Sequence, residues 1–269
     1  MIGAPALNLD LRGRSALITG STAGLGFAIA DTLAQAGAHV VVHGLDSDDA
    51  TRQACRDMAA RHGVQVLLQH ADLRDVDQIE SMVHDARTTL GSMDIIVNNA
   101  VIRHFSPADT LTRADWDEGL AVNLSAAFHL ARLTIPGMRE RGWGRIINMS
   151  SVYGVGATAN RVGYITTKTA LLGMTRALAI ETSTTGITCN AVSPGTVPTP
   201  AITSRIAAIA HEQGVSVEQA EREYLATRQP TGRFVAMENV AALIAFLCSE
   251  AGRDITGAAL PIDGGWTAA

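Results

Sequence analysis

A short apolar run, Ser15 to Ile18, opens directly into Thr19-Gly20-Ser21-Thr22-Ala23-Gly24-Leu25-Gly26, and that turn leads into an apolar-periodic stretch reaching about Ala36. Strand, glycine turn and helix in immediate succession make a site where the first amides of the helix face a pyrophosphate. Gly20 permits the tight turn, Gly24 lets backbone approach the phosphates, and Gly26 lets helix and strand pack closely. A glycine turn that serves only packing is the plainer alternative. The chain that follows favours the first, because His39-Val40-Val41-Val42-His43 reads as a second parallel strand and completes a βαβ unit.

The alternation continues. A helix is expected over Ala50 to His62, a strand over Val64 to Gln69, and a helix from Asp75 to about Leu90. A strand from Asp94 to Val97 then runs into Asn98-Asn99-Ala100. A long helix from Asp115 to Arg141, a strand from Arg145 to Met149 and a helix over Tyr164 to Thr182 follow. Strands separated by helices of this length predict an α/β fold, a doubly wound parallel sheet of Rossmann-like type. No internal repeat or low-complexity linker divides the chain, so residues 1–269 read as a single domain. Hydrophobic residues at 47 % with 25 glycines suit a sizeable core crossed by close-packed turns. Ligands bind such sheets at the carboxyl ends of the strands, where Asn98, Ser151 and the glycine turn all fall.

Several function classes are disfavoured. The net charge of −5, with no basic block, argues against a nucleic-acid partner. No signal peptide or run of ~18 apolar residues occurs, so a soluble, cytoplasmic protein without membrane contact is expected. Cys55, Cys189 and Cys248 are scattered, which suggests small buried residues in a reducing compartment. The histidines show no ligand spacing, so no metal is expected.

The end of the second strand bears on the cofactor. A ribose-binding acid is expected roughly 20 residues beyond the glycines. Gly44 and Leu45 come first, and Asp46, Asp48 and Asp49 arrive slightly late. No Arg or Lys stands in the glycine turn or at the strand end to meet a 2′-phosphate, which tilts the choice toward NAD. The same acids could simply cap the next helix. Asp72 could accept from an adenine amino group or cap a turn.

The chemistry concentrates in Ser151 to Lys168, S-V-Y-G-V-G-A-T-A-N-R-V-G-Y-I-T-T-K. Tyr164 and Lys168 are four apart on a helix and share one face. A cation beside a phenol favours the phenolate and makes tyrosine a usable general acid/base. Ser151, at the strand exit, could offer a hydroxyl to the same oxygen. Alone, Y-x-x-x-K is a weak signal that exposed helix faces also produce.

Taken together, T-G-x-x-x-G-x-G at Thr19 to Gly26, N-N-A, the mid-helix Asn123, Ser151 thirteen residues before Tyr164, and Y-x-x-x-K resemble the short-chain dehydrogenase/reductase family over nearly the whole chain. The resemblance implies a tetrad of Asn123, Ser151, Tyr164 and Lys168. In it Tyr164 transfers the proton, Ser151 orients the substrate oxygen, Lys168 holds the nicotinamide ribose, and Asn123 supports a proton relay through water. It implies dinucleotide contacts from Gly20, Thr22, Gly24, Leu25 and Gly26, then from Leu45, Asp72, Leu73 and Asn99. Tyr164, Lys168 and the loop residues Pro194, Gly195, Val197 and Thr199 complete the set. It also implies subunit contacts through the helices Asp115–Arg141 and Tyr164–Thr182, whose apolar residues extend beyond one stripe, and thus a homotetramer.

The family usually continues N-N-A with Gly, whereas Val101 stands here. A β-branched residue resists positive φ, so the turn at residues 102 to 105 is expected to be re-routed. Ala201 to Arg228 reads as a mostly helical insertion, a substrate lid at about 200–235. That region and the ending Asp263-Gly264-Gly265-Trp266-Thr267-Ala268 resemble bacterial 3-hydroxybutyrate dehydrogenases. There Arg161, Arg103 and Tyr153 fall where that subfamily has a Lys, a Gln and a His, which makes them substrate-binding candidates beside Ser151 and Tyr164. Either arginine can form a bidentate fork with a carboxylate, or be ordinary solvated surface. The expected function is therefore NAD-dependent hydride transfer to or from a small anionic hydroxy or keto acid. A neutral ketone, sugar, steroid or acyl thioester is the rival within enzymes, and a non-catalytic dinucleotide sensor the rival outside them.

Overall fold

The structure, a computed structural model, describes residues 9–269. Seven parallel strands form one sheet: β1 (Ser15–Ile18), β2 (His39–Gly44), β3 (Val66–His70), β4 (Ile95–Asn98), β5 (Gly144–Met149), β6 (Ile187–Pro194) and β7 (Ala259–Ile262). Their spatial order is β3-β2-β1-β4-β5-β6-β7, with parallel register across each pair. The order reverses between β1 and β4, which opens a crevice at their carboxyl ends.

Every residue of β1, β4 and β5 is buried, as a sheet covered on both faces requires. The pleat sends alternate side chains to opposite layers. Ile18, Val40, Val42 and Val97 pack against Ile29 and Leu33 of α1 (Gly24–Gln35) and Val240 and Ile244 of α9 (Met237–Cys248). Leu17, Val41, Ile96 and Ile146 face Ile79 and Val83 of α3 (Val76–Leu90) and Leu130 of α5 (Ala126–Glu140). The helices α2 (Asp49–His62), α4 (Arg113–Leu120) and α6 (Val162–Glu181) complete the layers. A further pair, α7 (Pro200–Gln213) and α8 (Val217–Ala226), packs on its own small cluster around Ile206, Ala210 and Ala220. All three cysteines are free and buried, and burial pushes the Cys189 and Cys248 thiols up to about 12. Among the described residues no helix is long and apolar enough to cross a membrane.

Four differences from the sequence reading have physical causes. The third strand begins at Val66, not Val64, because Gly63 ends α2 in the left-handed region and the next two residues turn the chain into register. The second strand runs one residue further, to Gly44, which pairs with His70. The helix expected over Asp115 to Arg141 starts at Arg113, where Thr112 caps it, and is interrupted by a π turn at Ala121–Ser125. The strands β6 and β7 carried no sequence expectation; β7 is an edge strand with Pro261 inside it, a residue that edges tolerate and that masks a strand pattern.

Candidate active site

α1 begins without a side-chain cap and without an acid in its first turn, whereas α2 and α3 are capped by Asp48 and Asp75. Its leading amides are thus left for an anion. Gly24 has φ 58°, and a Cβ built on it would meet nothing within 4 Å, so the space over the turn is open. At Gly26 a Cβ would stand 2.2 Å from the Gly20 carbonyl oxygen and 2.7 Å from Asn99 Nδ2, so the close approach excludes any side chain. This shape and donor set fit a dinucleotide pyrophosphate.

The turn is pinned from two sides. Asn99 Nδ2 donates to the Thr19 and Gly20 carbonyls, each at 2.9 Å, and Thr19 Oγ1 accepts from the Asn99 and Ala100 amides at 3.0 Å. On the other side the buried His43 accepts from the Gly20 amide at Nδ1 (3.1 Å) and donates from Nε2 to the Ala71 carbonyl (3.0 Å). Those roles require the neutral ring, and burial holds its pKa below the usual histidine range. Sequence reasoning passed over His43; a histidine closing an apolar strand is the signal that would have found it. Thr22 does not line the cleft and lies against Gly44 instead.

The acids beyond β2 divide. Asp48 caps α2 through the Thr51 amide at 2.7 Å, and Asp49 pairs with Arg52 at 3.0 Å, which leaves Asp46, among the described residues, with only the Ser47 amide. Asp72 takes up the turn-capping role: it accepts from the Arg74 amide and guanidinium, while Arg74 reaches Glu118 at 2.9 Å. Leu45, Asp72 and Leu73 all border the cleft.

At the chemical end, Ser151 leaves β5 in extended geometry, and its Oγ accepts from the Tyr153 amide at 3.2 Å. Tyr164 and Lys168 lie in the first turns of α6, both buried. Lys168 Nζ donates to the Met149 carbonyl at 2.6 Å and stands 5.7 Å from the Tyr164 ring centre. Burial by itself would raise the phenol pKa. The charges of Lys168 and then Arg103, with hydrogen bonding from Ser151 and Arg103, outweigh burial, and the phenol lies below its usual value near 10. Burial pushes the Lys168 ammonium down. Arg103 is therefore a second cation beside that phenol, its guanidinium 5.4 Å from the ring centre.

Asn123 is buried in the π turn, a feature common at functional sites. Its side chain bonds Ile102 twice, accepting from that amide at 2.8 Å and donating to that carbonyl at 2.9 Å. It thereby fixes the segment that presents Arg103. Val101 stays out of the left-handed region; Asn160, at φ 62°, is the one non-glycine residue found there among those described. His104 adds a second anchor, 2.9 Å from Glu118.

Arg161 stands at the start of α6 without a capping hydrogen bond, and its guanidinium lies over Phe105 (4.5 Å) and Tyr153 (5.3 Å). Tyr153 meets Tyr164 and Trp266 edge-on. Pro194, Gly195, Val197 and Thr199 form the opposite wall, and Arg205, Tyr224 and Arg228 reach in from α7, α8 and the turn after α8. These last three and Trp266 were not foreseen. Apart from Thr22, Asn98, Asn123 and the acids Asp46, Asp48 and Asp49, the residues singled out in the sequence for cofactor, catalysis or substrate border this one cleft of about 840 Å³. The arrangement can hold a dinucleotide along the strand ends, poise a phenolate beside two cations, and receive an anion.

Known proteins resemble the chain over nearly its whole length. A family model described as enoyl-(acyl carrier protein) reductase matches residues 20–267. A D-beta-hydroxybutyrate dehydrogenase of Cupriavidus necator is 42 % identical over 258 residues, 96 % of this chain and 99 % of the relative. One from Rhizobium meliloti is 38 % identical, over 95 % of this chain and 99 % of the relative. The structure of L-sorbose reductase from Gluconobacter frateurii, complexed with NADPH and L-sorbose, superposes with a TM-score of 0.91 at 31 % identity, over 96 % of this chain and 98 % of that one.

Proposed function

The chain belongs to the short-chain dehydrogenase/reductase family, and on that footing we propose that it moves a hydride between NAD and the secondary alcohol of a small hydroxy acid, or back to the matching keto acid, in the manner of 3-hydroxybutyrate. The observation that carries this reading is Arg103, a guanidinium beside the phenol of Tyr164. An acid whose carboxylate meets that fork brings its carbinol oxygen to Tyr164 and Ser151.

When bound, the nicotinamide supplies the acceptor for the hydride released by the carbinol carbon. Tyr164 as phenolate takes the hydroxyl proton, and Ser151 donates to the same oxygen. Lys168 stabilises the phenolate charge. Asn123, in the π turn, supports a relay that passes the proton on through water. Closure of α7 and α8 as a lid excludes solvent from the cleft.

The matching test is NADH formation against 2-, 3- and 4-hydroxy acids and their methyl esters. Acids should exceed esters by roughly 10- to 150-fold in kcat/KM, the worth of a charge-assisted hydrogen bond of about 1.5–3 kcal/mol. Arg103→Ala should erase most of that ratio on the alkaline plateau, where the phenol is ionised in both enzymes. The alkaline limb itself should move to higher pH in Arg103→Ala, since one of the cations holding the phenol down is gone. Acid and ester turned over alike by the wild type would sink the assignment in favour of a neutral ketone or sugar, the kind of substrate named for the sorbose reductase. A non-catalytic dinucleotide sensor has no use for a buried, cation-flanked phenol.

NAD is favoured over NADP by the charge around the end of β2. Both nearby guanidiniums are already neutralised, Arg52 by Asp49 and Arg74 by Asp72 and Glu118. A 2′-phosphate would meet Asp46 and, among the described residues, no unpaired cation. NAD should lead by at least about tenfold in kcat/KM, roughly 1.4 kcal/mol; equal use of the two cofactors would refute the preference. The reading extends to a cytoplasmic homotetramer assembled through α5 and α6, which carry the exposed Phe128 and Ile180; sedimentation at working concentration tests the assembly.

A further inference from the structure

The substrate end of the cleft carries more positive charge than one carboxylate uses. Arg103, Arg161, Arg205 and Arg228 all border it, and no acid among the described residues lies within 4.0 Å of any of them. The two acids that do border the cleft are taken: Asp72 by Arg74, and Glu118 by Arg74 and His104.

The arginines also differ in what holds them. Arg103 addresses the reacting phenol. Arg161 is held by different rings: its guanidinium lies 5.3 Å over Tyr153, the ring that meets Tyr164 edge-on at 6.4 Å. Two aromatic rings, Phe105 and Tyr153, position that guanidinium, and none of its N–H groups donates a hydrogen bond to a described residue. Stacking fixes the plane of the fork and leaves its donors unspent. Arg228 is held similarly, 3.9 Å over Tyr224, with Nη1 spent on the Tyr224 carbonyl and Thr227. A guanidinium oriented without hydrogen bonds suits an incoming carboxylate, and the two arginines lie over different rings of the pair, Arg103 over Tyr164 and Arg161 over Tyr153.

We propose that the substrate is a hydroxy dicarboxylate: one carboxylate near the carbinol carbon on Arg103, and a second at the far end of the molecule on Arg161, with Arg228 behind it. This rests on the hydroxy-acid reading above and narrows it. A single carboxylate shared by both arginines is the competing arrangement, and it predicts no benefit from a second charge.

Binding separates the two without knowledge of the true substrate. The enzyme–NAD complex is titrated calorimetrically with unreactive straight-chain monocarboxylates and α,ω-dicarboxylates of three to seven carbons, in moderate salt. The best dicarboxylate should bind at least tenfold more tightly than the monocarboxylate of equal length. The advantage should peak at one chain length, because two fixed forks select a span, whereas diffuse attraction would not. Arg161→Ala should bring the ratio near one while leaving monocarboxylate affinity within about twofold. Arg103→Ala should weaken both series. Equal binding of the two series, an advantage without a length optimum, or a ratio that survives Arg161→Ala would overturn the dicarboxylate proposal and leave the hydroxy-acid reading intact. Binding of the neutral diesters as tightly as the free acids would instead remove both.

Discussion

Tyr164→Phe should reduce turnover by roughly 10²- to 10⁴-fold, the range that a positioned proton carrier contributes, with the dissociation constant for NAD nearly unchanged. The hydroxyl acts chiefly in the transition state, so its loss falls on kcat and not on cofactor affinity. In the wild type, oxidation should rise with pH along a limb whose midpoint lies below 10, since the phenol is held under its ordinary value by Lys168, Arg103 and Ser151 against burial. The sign reverses for ketone reduction, which needs the protonated phenol and should fall along the same limb. Stopped-flow absorbance of NADH across pH reads both directions. A Tyr164→Phe enzyme keeping a tenth of the wild-type rate would mean that another group carries the proton.

Lys168→Met should move activity and stability in opposite directions. The ammonium is buried, has the Met149 carbonyl as its described acceptor, and has no described acid within 4.0 Å. Its charge is therefore costly to the fold, as the downward push on its pKa records. Replacing a buried charge by an apolar side chain of similar length is often neutral or stabilising, so Tm should hold or rise. Catalysis should drop by roughly 10²- to 10³-fold, the scale of losing one preorganised charge at the reacting atoms, and the residual oxidation limb should shift to higher pH. Calorimetry and a pH–rate profile on the same preparation check both halves. A large fall in Tm would assign Lys168 to packing instead.

What sequence made legible follows a physical division. The strands β1, β2 and β4 were readable because, covered on both faces, they are largely apolar runs. The glycine turn was readable because backbone geometry restricts residue type there, and the bare start of α1 and the Gly26 contact agree with it. Edge position hid β7, and the polar residues of β6, such as Asn190 bonded to the Ile255 carbonyl, hid that strand. His43 escaped because its role exists only through Gly20 and Ala71, which it meets across the sheet. Arg205, on the exposed face of α7, and Arg228, just beyond α8, escaped because helices and their flanks near the surface carry arginine for many reasons. Asn123 was located by family likeness, yet its bonds to Ile102 could not be read from spacing.

The π turn at Ala121–Ser125 has one more consequence. It amounts to a single inserted residue, so everything downstream is rotated by about 100° relative to an unbroken α-helix. Upstream, α4 is phased by the cleft, where Glu118 meets Arg74 and His104. Downstream, α5 is phased by the core, where Leu130 is wholly enclosed. A helix of uniform pitch through this segment could aim Asn123 at Ile102 or seat Leu130 in the interior, but not both. The insertion thus uncouples two demands on one helix, and residue-spacing arithmetic carried across positions 121 to 125 points to the wrong face.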